Sequence, residues 1–312
     1  MFKGHAFTIF LIILQDISVG RPALQAMTMT NDRPIHIDLR QVLKTKLGRK
    51  AALIPGFVVR RLEKTICQDR LNRILEITFP SQGAEFCKGV LDDLNISLDI
   101  QGIDNLPADG RCIFVSNHPL GGLDGIALIH FLTKHYGKDV RFVVNDLLTA
   151  VKPLEPVFIP INKHGSQSRA SVKALDNELA GDSPVIIFPA GLVSRRQPDG
   201  SIADLEWKKT FINKAIEFRR DIVPLYFGGT NSDFFYKFAS RRKKLGLKFN
   251  IEMVYLPREV FRAENSTFRI VCGTPLSHTS LQGGRHADTE ASQIRDAVYR
   301  LSQEQNQTTL PQ

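Results

Sequence analysis

The 312-residue sequence predicts an α/β protein with a largely buried sheet flanked by helices and a basic helical appendage on its N-terminal side. Three observations point there. From about Ile96 onward, short apolar runs alternate with segments of helical period. From about Asp38 to Leu94 the pattern is helical throughout. Charge then separates the two parts, because Arg40 to Arg73 holds ten Lys or Arg against two acids, Glu63 and Asp69.

In the appendage, Phe57 to Phe79 places Val58, Leu62, Ile66, Leu71, Ile74 and Leu75 at helical spacing. Pro55-Gly56 precedes this run, and Pro80-Ser81 with Gly83 ends it. A further helix is expected from Ala84 to Leu94. Strands are expected at residues 96–100, 112–116, 140–144, 157–161, 185–188, 222–227, 251–255 and 268–272. Helices are expected at residues 123–135, 168–179, 205–219 and 289–302. The chain thus divides into an extension (1–30), the appendage (31–95), the α/β domain (96–305) and a polar tail (306–312).

Hydrophobic content of 43% and charged content of 23% are those of a folded domain and exclude extensive disorder. Lys and Arg outnumber Asp and Glu by 41 to 32, which favours an anionic partner: a membrane, nucleic acid or an acidic carrier protein. Cys67, Cys87, Cys112 and Cys272 are widely separated and form no C-x-x-C pair, so all four are expected to be reduced and structural, in a reducing, cytoplasmic setting. At the N-terminus, Lys3, the uncharged run Ala6 to Leu14 and Ser18-Val19-Gly20 resemble a short signal peptide. The competing reading starts translation at Met27 or Met29, and the cytoplasmic texture of the remainder favours it. No apolar run approaches the roughly 20 residues a membrane-spanning helix needs, so membrane contact is expected to be peripheral.

The segment VSNHPLGGLDG, Val115 to Gly125, carries the chemistry. A strand ends at Ser116, Asn117-His118 turns, Gly121-Gly122 bends, and Asp124 opens the next helix. Ligands in such sheets sit at the carboxyl ends of strands. An imidazole there with a nearby carboxylate has the parts of a general-base dyad, in which the carboxylate fixes the tautomer and the other ring nitrogen faces substrate. Taken alone, the pair is equally a turn-capping histidine and a helix N-cap. Three later blocks supply the context. Phe188-Pro189-Ala190-Gly191 with Ser194-Arg195-Arg196 suits an anion-binding loop of freed amides and guanidiniums, or equally a strand-ending turn with solvated arginines. A strand at Val157 to Ile161 leads to the cation Lys163, and Ile222-Val223-Pro224-Leu225 places a proline in another strand. Gly228-Gly229-Thr230-Asn231 lines the same site or forms a simple loop.

In order and spacing these four blocks resemble the phospholipid and glycerol acyltransferase superfamily. Its motifs are an NHxxxxD box, a strand ending in a cation, an FPEG box and a VP strand. The resemblance covers roughly Leu98 to Pro275 and implies a mixed sheet flanked by helices. The wording NHPLGGLDG with FPAGLVSRR is similar to a bacterial branch carrying a hemolysin label, whose relatives O-acylate lyso-ornithine or lyso-glycine lipids. What the resemblance implies is acyl transfer from a thioester, on acyl carrier protein or CoA, to the hydroxyl of a lyso-lipid. His118 and Asp124 would be catalytic. Lys163, Gly191, Arg195 and Arg196 would bind the acceptor's anion, and Asn117, Gly121, Gly122, Phe188, Pro189 and Pro224 would line the site. No metal or other cofactor is implied, and His36, His130, His135, His164, His278 and His286 have no partners at ligand spacing. Two positions depart from the pattern. Five residues separate His118 from Asp124, where the usual box has four, and Ala190 replaces the glutamate of FPEG. The second departure favours a carboxylate-bearing acceptor over glycerol 3-phosphate or lysophosphatidate, whose acylation is the alternative activity.

Phe234, Phe235, Lys237 and Phe238 run into Arg241, Arg242, Lys243 and Lys244. Aromatics interleaved with cations on a helix suit an anionic membrane surface, here the cytoplasmic face of the inner membrane. A core-facing stripe with a solvated basic face is the ordinary alternative, and nucleic acid is not the expected partner. A lytic, membrane-active protein would need long amphipathic segments and no ordered dyad, the reverse of this sequence.

Overall fold

The structure, a computed structural model, describes residues 34–145, 151–161, 167–247 and 250–304. The expected N-terminal extension, the polar tail and Lys163 lie outside the described residues. In chain order the helices are α1 (Leu39–Leu47), α2 (Gly56–Thr65), α3 (Gln68–Thr78), α4 (Gly83–Asp93) and α5 (Leu123–Tyr136). They continue with α6 (Gln167–Ala180), α7 (Thr210–Phe218), α8 (Asp233–Lys244), α9 (Leu256–Arg262) and α10 (Ala287–Glu304). The strands are β1 (Ser97–Gln101), β2 (Ile113–Ser116), β3 (Arg141–Asn145), β4 (Phe158–Ile161) and β5 (Val185–Ile187). After them come β6 (Arg195–Arg196), β7 (Ile202–Ala203), β8 (Ile222–Phe227) and β9 (Thr267–Cys272).

The chain divides into two compact units. The α/β unit is Gln82–Asn231 with the part from Glu264 on, and the helical unit is the part up to Ser81 with Ser232–Ala263. This corrects the boundary expected at residue 95 in two ways. Helix α4 buries Phe86, Cys87, Val90 and Leu91 in the α/β unit, and the segment between β8 and β9 joins the helical unit.

Among the described residues the main sheet has seven strands in the order β1-β9-β8-β2-β5-β3-β4. The block β8-β2-β5-β3-β4 is parallel, while β9 runs antiparallel to β8 and carries β1 parallel to itself. All four residues of β2 are buried, as expected for a central strand covered on both faces. On one face Ile113, Val115, Val185 and Ile222 pack with Phe211, Ile212 and Ala215 of α7 and with Ala291, Ile294 and Val298 of α10. Helix α5 is apolar nearly all round and buries Leu123, Ala127, Leu128, Phe131 and Leu132. Because β8, β2 and β5 run parallel, their carboxyl ends share one edge of the sheet.

The opposite edge is held by Arg220, whose side chain is fully buried just before β8. Its guanidinium donates to the carbonyls of Leu179 (2.8 Å), Ser183 (2.7 Å), Gly181 (2.5 Å), Glu178 (3.3 Å) and Cys112 (3.4 Å). It thereby satisfies the C-terminal carbonyls of α6 and the entries to β2 and β5 with one cation.

In the helical unit, Asp38 caps α1 by accepting from the amides of Arg40 and Gln41. The buried Asn72 of α3 holds Ile37 through both its amide groups. The small core consists of Leu43, Ile54 and Val59, with Leu39, Leu47, Ala51 and Val58 against it. The single helix expected from Phe57 to Phe79 is two helices, because Cys67 adopts a left-handed conformation (φ 52°) that ends the first run. Residues 251–255, expected as a strand, form a 3₁₀ turn leading into α9. Their apolar side chains serve α8 instead: Tyr255 meets the rings of Phe234 and Phe238 edge-on at 5.0 and 5.4 Å. The helix expected from Leu205 begins only at Thr210, since Lys208 directs its backbone N–H to the Pro189 carbonyl.

Arg220→Met keeps the volume but takes the guanidinium from the carbonyls of Leu179, Gly181 and Ser183, while those of Cys112 and Glu178 keep a backbone N–H. It should lower the unfolding free energy by about 3–5 kcal/mol, measured by urea denaturation. A loss under about 1 kcal/mol would show that the carbonyls find other partners.

Candidate active site

The site grows from the carboxyl end of β2. Asn117, the first residue beyond the strand, uses its side chain as a strand extension: its amide nitrogen donates to the Phe227 carbonyl (2.9 Å) and its oxygen accepts the Phe227 N–H (2.7 Å). The loop ends of β2 and β8 are thereby fixed to each other. Asn231 adds a bond from its amide to the Pro119 carbonyl (3.1 Å). With both flanks anchored, the backbone turns at His118.

His118 Nδ1 lies 2.9 Å from Asp124 Oδ2. The carboxylate is fully buried, yet its oxygens are surrounded by donors. Oδ2 also accepts from the amides of Leu120 (2.9 Å) and Gly121 (3.3 Å), and Oδ1 from those of Gly122 and Gly125 (both 3.0 Å). Asp124 sits in the first turn of α5, where the helix N-terminus favours an anion. Burial alone raises its pKa, but the His118 partner and the backbone amides outweigh it and hold the carboxyl below the usual range. An ionised Asp124 requires a proton on Nδ1, so Nε2 carries the lone pair. The five-residue loop closes because Gly121 takes φ 81°, in the left-handed region, so the amides of Leu120, Gly121 and Gly122 converge on one carboxylate.

The imidazole is 14% exposed and stacks on Phe188, ring centroids 4.1 Å apart and 20° between planes. Phe188 in turn meets Phe142 of β3 edge-on at 5.3 Å. Gly125 admits this pair beside α5, because a Cβ there would fall 2.9 Å from the Phe142 ring. The turn after β5 reaches the same loop, with Ser194 N–H donating to the His118 carbonyl (2.8 Å). Within this turn Gly191 has φ 63° and closes a bond to the Phe188 carbonyl, and Pro189 accepts from Lys208 N–H. Ala190 points into the main core with Ile113, Val115 and Trp207. A glutamate at this position would carry its charge into that core.

His118, Asp124, Asn117, Gly121, Gly122 and Phe188 thus come together, and Pro189 and Gly191 belong to the turn that holds them. Arg195 and Arg196 lie on the β6–β7 hairpin. The Arg195 guanidinium donates to the carbonyls of Val193 and Ser194, and that of Arg196 to Gly200. Pro224 does not line the site. It lies in β8 at the level of Val115, with its ring against Gly273 and near Leu301, as a mid-strand residue on the α10 face must. Lys163 is outside the described residues.

The sequence reading missed Asp204. This carboxylate is buried and accepts from His118 N–H (3.1 Å), Ser194 Oγ–H (2.5 Å) and Trp207 Nε1–H (2.9 Å). Desolvation raises its pKa against the pull of these donors and of His118. An acid three residues before the chain's one tryptophan is the only hint the sequence offers. Lys208 was also missed, and its ammonium lies close over Gly191.

A family model described as acyltransferase matches residues 41–307. The chain belongs to the acyltransferase family. It is therefore an enzyme that transfers acyl groups other than aminoacyl groups. It is 47% identical over 273 residues to the lyso-glycine lipid O-acyltransferase of Phocaeicola vulgatus, covering 88% of this chain and 98% of that protein. It is 43% identical over 273 residues to the lyso-glycine lipid O-acyltransferase of Bacteroides thetaiotaomicron, covering 88% of this chain and 100% of that protein. Among solved structures, the 1-acyl-sn-glycerophosphate (LPA) acyltransferase PlsC from Thermotoga maritima superposes with a TM-score of 0.43 at 13% identity. That superposition spans 97% of this acyltransferase and 99% of PlsC.

Asp124→Ala removes the only charge that four amides and an imidazole share. It should cost about 3–5 kcal/mol of stability at neutral pH. Because the folded pKa is depressed, the wild-type advantage is present above the ordinary carboxylate pKa and is lost as pH falls through the folded value. The gap between wild type and Asp124→Ala in urea denaturation should therefore narrow as pH falls below the ordinary carboxylate range. A constant gap between them across pH would contradict an ionised Asp124.

Proposed function

We propose that this acyltransferase moves a fatty acyl group from an acyl thioester on acyl carrier protein to the hydroxyl of a lyso N-acyl amino-acid lipid of the glycine type. The observation that carries the mechanism is the 2.9 Å contact of His118 Nδ1 with the buried Asp124. With Nδ1–H taken by the carboxylate, Nε2 is the base. The acceptor hydroxyl gives its proton to Nε2 while its oxygen bonds to the thioester carbonyl carbon. The tetrahedral intermediate then breaks its C–S bond, and the imidazolium returns the proton to sulfur. Asp124 holds the ring and balances its charge in between. Every proton and bond is accounted for by His118, acceptor and thioester.

The names of the two relatives support a glycine-type acceptor, and so does Ala190 in the core, which leaves the turn after β5 without the family's glutamate. Lys163, Arg195 and Arg196, with the amides near Gly191, are assigned to the acceptor's carboxylate, and Asn117, Gly121, Gly122, Phe188 and Pro189 to the walls. Lyso-ornithine lipid as acceptor and CoA as carrier are the nearest variants of the same chemistry.

We further assign a peripheral position on the cytoplasmic face of the inner membrane. Among the described residues no helix is long and apolar enough to cross a membrane. Helix α8 exposes Phe234, Lys237, Arg241, Lys243 and Lys244, and Leu245 beyond it is 75% exposed. Two residues leave the expected membrane set. Phe235 is fully buried, and Arg242 is turned inward to the buried Glu252 at 2.9 Å. Phe238 is half-buried, stacked on Phe234 at 5.9 Å.

The purified enzyme, given acyl carrier protein thioester, should convert lyso-glycine lipid to the diacyl form by mass spectrometry. Folded His118→Ala should lose about 10³-fold or more of that rate. A faster reaction with lysophosphatidate would replace the amino-acid acceptor, and an active, folded His118→Ala would remove His118 as base. On the membrane side, Arg241→Glu with Lys244→Glu should weaken binding to anionic vesicles at low salt at least about tenfold in sedimentation. Unchanged binding would move the membrane contact off α8.

A further inference from the structure

Asp204 is the one buried carboxylate near His118 that the proposed reaction does not use. It lies outside all four sequence blocks, in the segment between β7 and α7. Its oxygens accept from three donors on three different segments: the His118 backbone amide, the Ser194 hydroxyl and the Trp207 indole. Its own backbone is tied as firmly. Its N–H donates to the Tyr299 hydroxyl (2.7 Å), and its carbonyl accepts from Arg295 (2.8 Å), both on α10. The side chain is 1% exposed, so water does not compete for these bonds.

The consequence falls on the backbone of one residue. His118 donates its N–H to Asp204 and accepts Ser194 N–H at its carbonyl, while Ser194 gives its hydroxyl back to Asp204. Three residues close a ring of hydrogen bonds around the histidine backbone. Asp124 fixes the imidazole at its far end, but it cannot set where the Cα of His118 sits. Asn117 and Asn231 anchor the flanks, and Asp204, a carboxylate whose backbone is tied to α10, holds the His118 backbone itself. A charged acceptor is stronger than a neutral one, and a displacement of about 1 Å at a base can cost about 10²-fold in rate.

We propose that Asp204 is a positioning residue for the reaction: it holds the His118 backbone and locks the turn after β5 to it, without touching substrate. The proposal rests on His118 being the base. The effect should therefore appear in kcat, with the KM values for donor and acceptor nearly unchanged.

Asp204→Ala removes the acceptor. In protein shown to be folded by near-ultraviolet circular dichroism, kcat should fall about 10- to 100-fold and both KM values should stay within about twofold. Should Asp204→Ala not fold, a pair of variants in a Trp207→Phe background isolates the same bond. Trp207→Phe removes the indole donor, so Asp204→Asn can turn its oxygen to His118 N–H, whereas Asp204→Leu offers no acceptor. The Asn variant should keep kcat within about fivefold of Trp207→Phe alone, and the Leu variant should fall a further tenfold or so. Wild-type kcat per folded molecule in Asp204→Ala, or equal kcat in the Asn and Leu variants, overturns the positioning role. His118→Ala measured alongside separates the two readings. If it is inactive while Asp204→Ala keeps full kcat, only the positioning role fails, and if it is active the base assignment fails.

Discussion

A carboxylate with no exposed surface is tolerable only if every lone pair finds a donor, and Asp124 meets that condition through the backbone of its own loop. This requirement shapes the site. The loop must curl so that the amides of Leu120, Gly121 and Gly122 face inward, and α5 must start where its first turn receives the same anion. The imidazole takes the one remaining direction. Ring orientation is thus a by-product of solving a desolvation problem, and the solution is local, spanning His118 to Gly125.

Around this local unit the sheet supplies the frame. Asn117 completes the pairing between β2 and β8 with a neutral amide, and Asn231 secures the loop with another. The charges near the histidine are therefore two buried carboxylates, one on the ring and one on the peptide. The turn after β5 is joined to the second. Its alanine packs in the core, while Ser194 gives its hydroxyl to Asp204.

Much of this was legible in the sequence. Strand and helix alternation identified the buried sheet because its central strands read as unbroken apolar runs. The dyad was legible because His118 and Asp124 lie six positions apart, within one loop. What failed to show was non-local. Asp204 acts on a residue 86 positions away, and nothing in its own neighbourhood, apart from Trp207, marks it as buried. Pro224 was misplaced because a motif gives a residue's strand but not its height along it. Phe235 and Arg242 were misassigned for a related reason. A helix with aromatics on adjacent positions must send some inward, and only the partners, Glu252 for Arg242, decide which. Apolar residues at 251–255 looked like a strand because a 3₁₀ turn covering a helix needs the same side chains.

The helical unit is assembled from two stretches separated by some 150 residues of the α/β fold, and Arg70 of α3 spans the gap by sitting 4.2 Å over the ring of Phe261 in α9. During synthesis, α1, α2 and α3 leave the ribosome first and wait for their partners. Among the described residues, every strand but β9 is made before Ser232 appears. The basic, aromatic surface of α8 therefore matures late, after nearly all of the sheet exists.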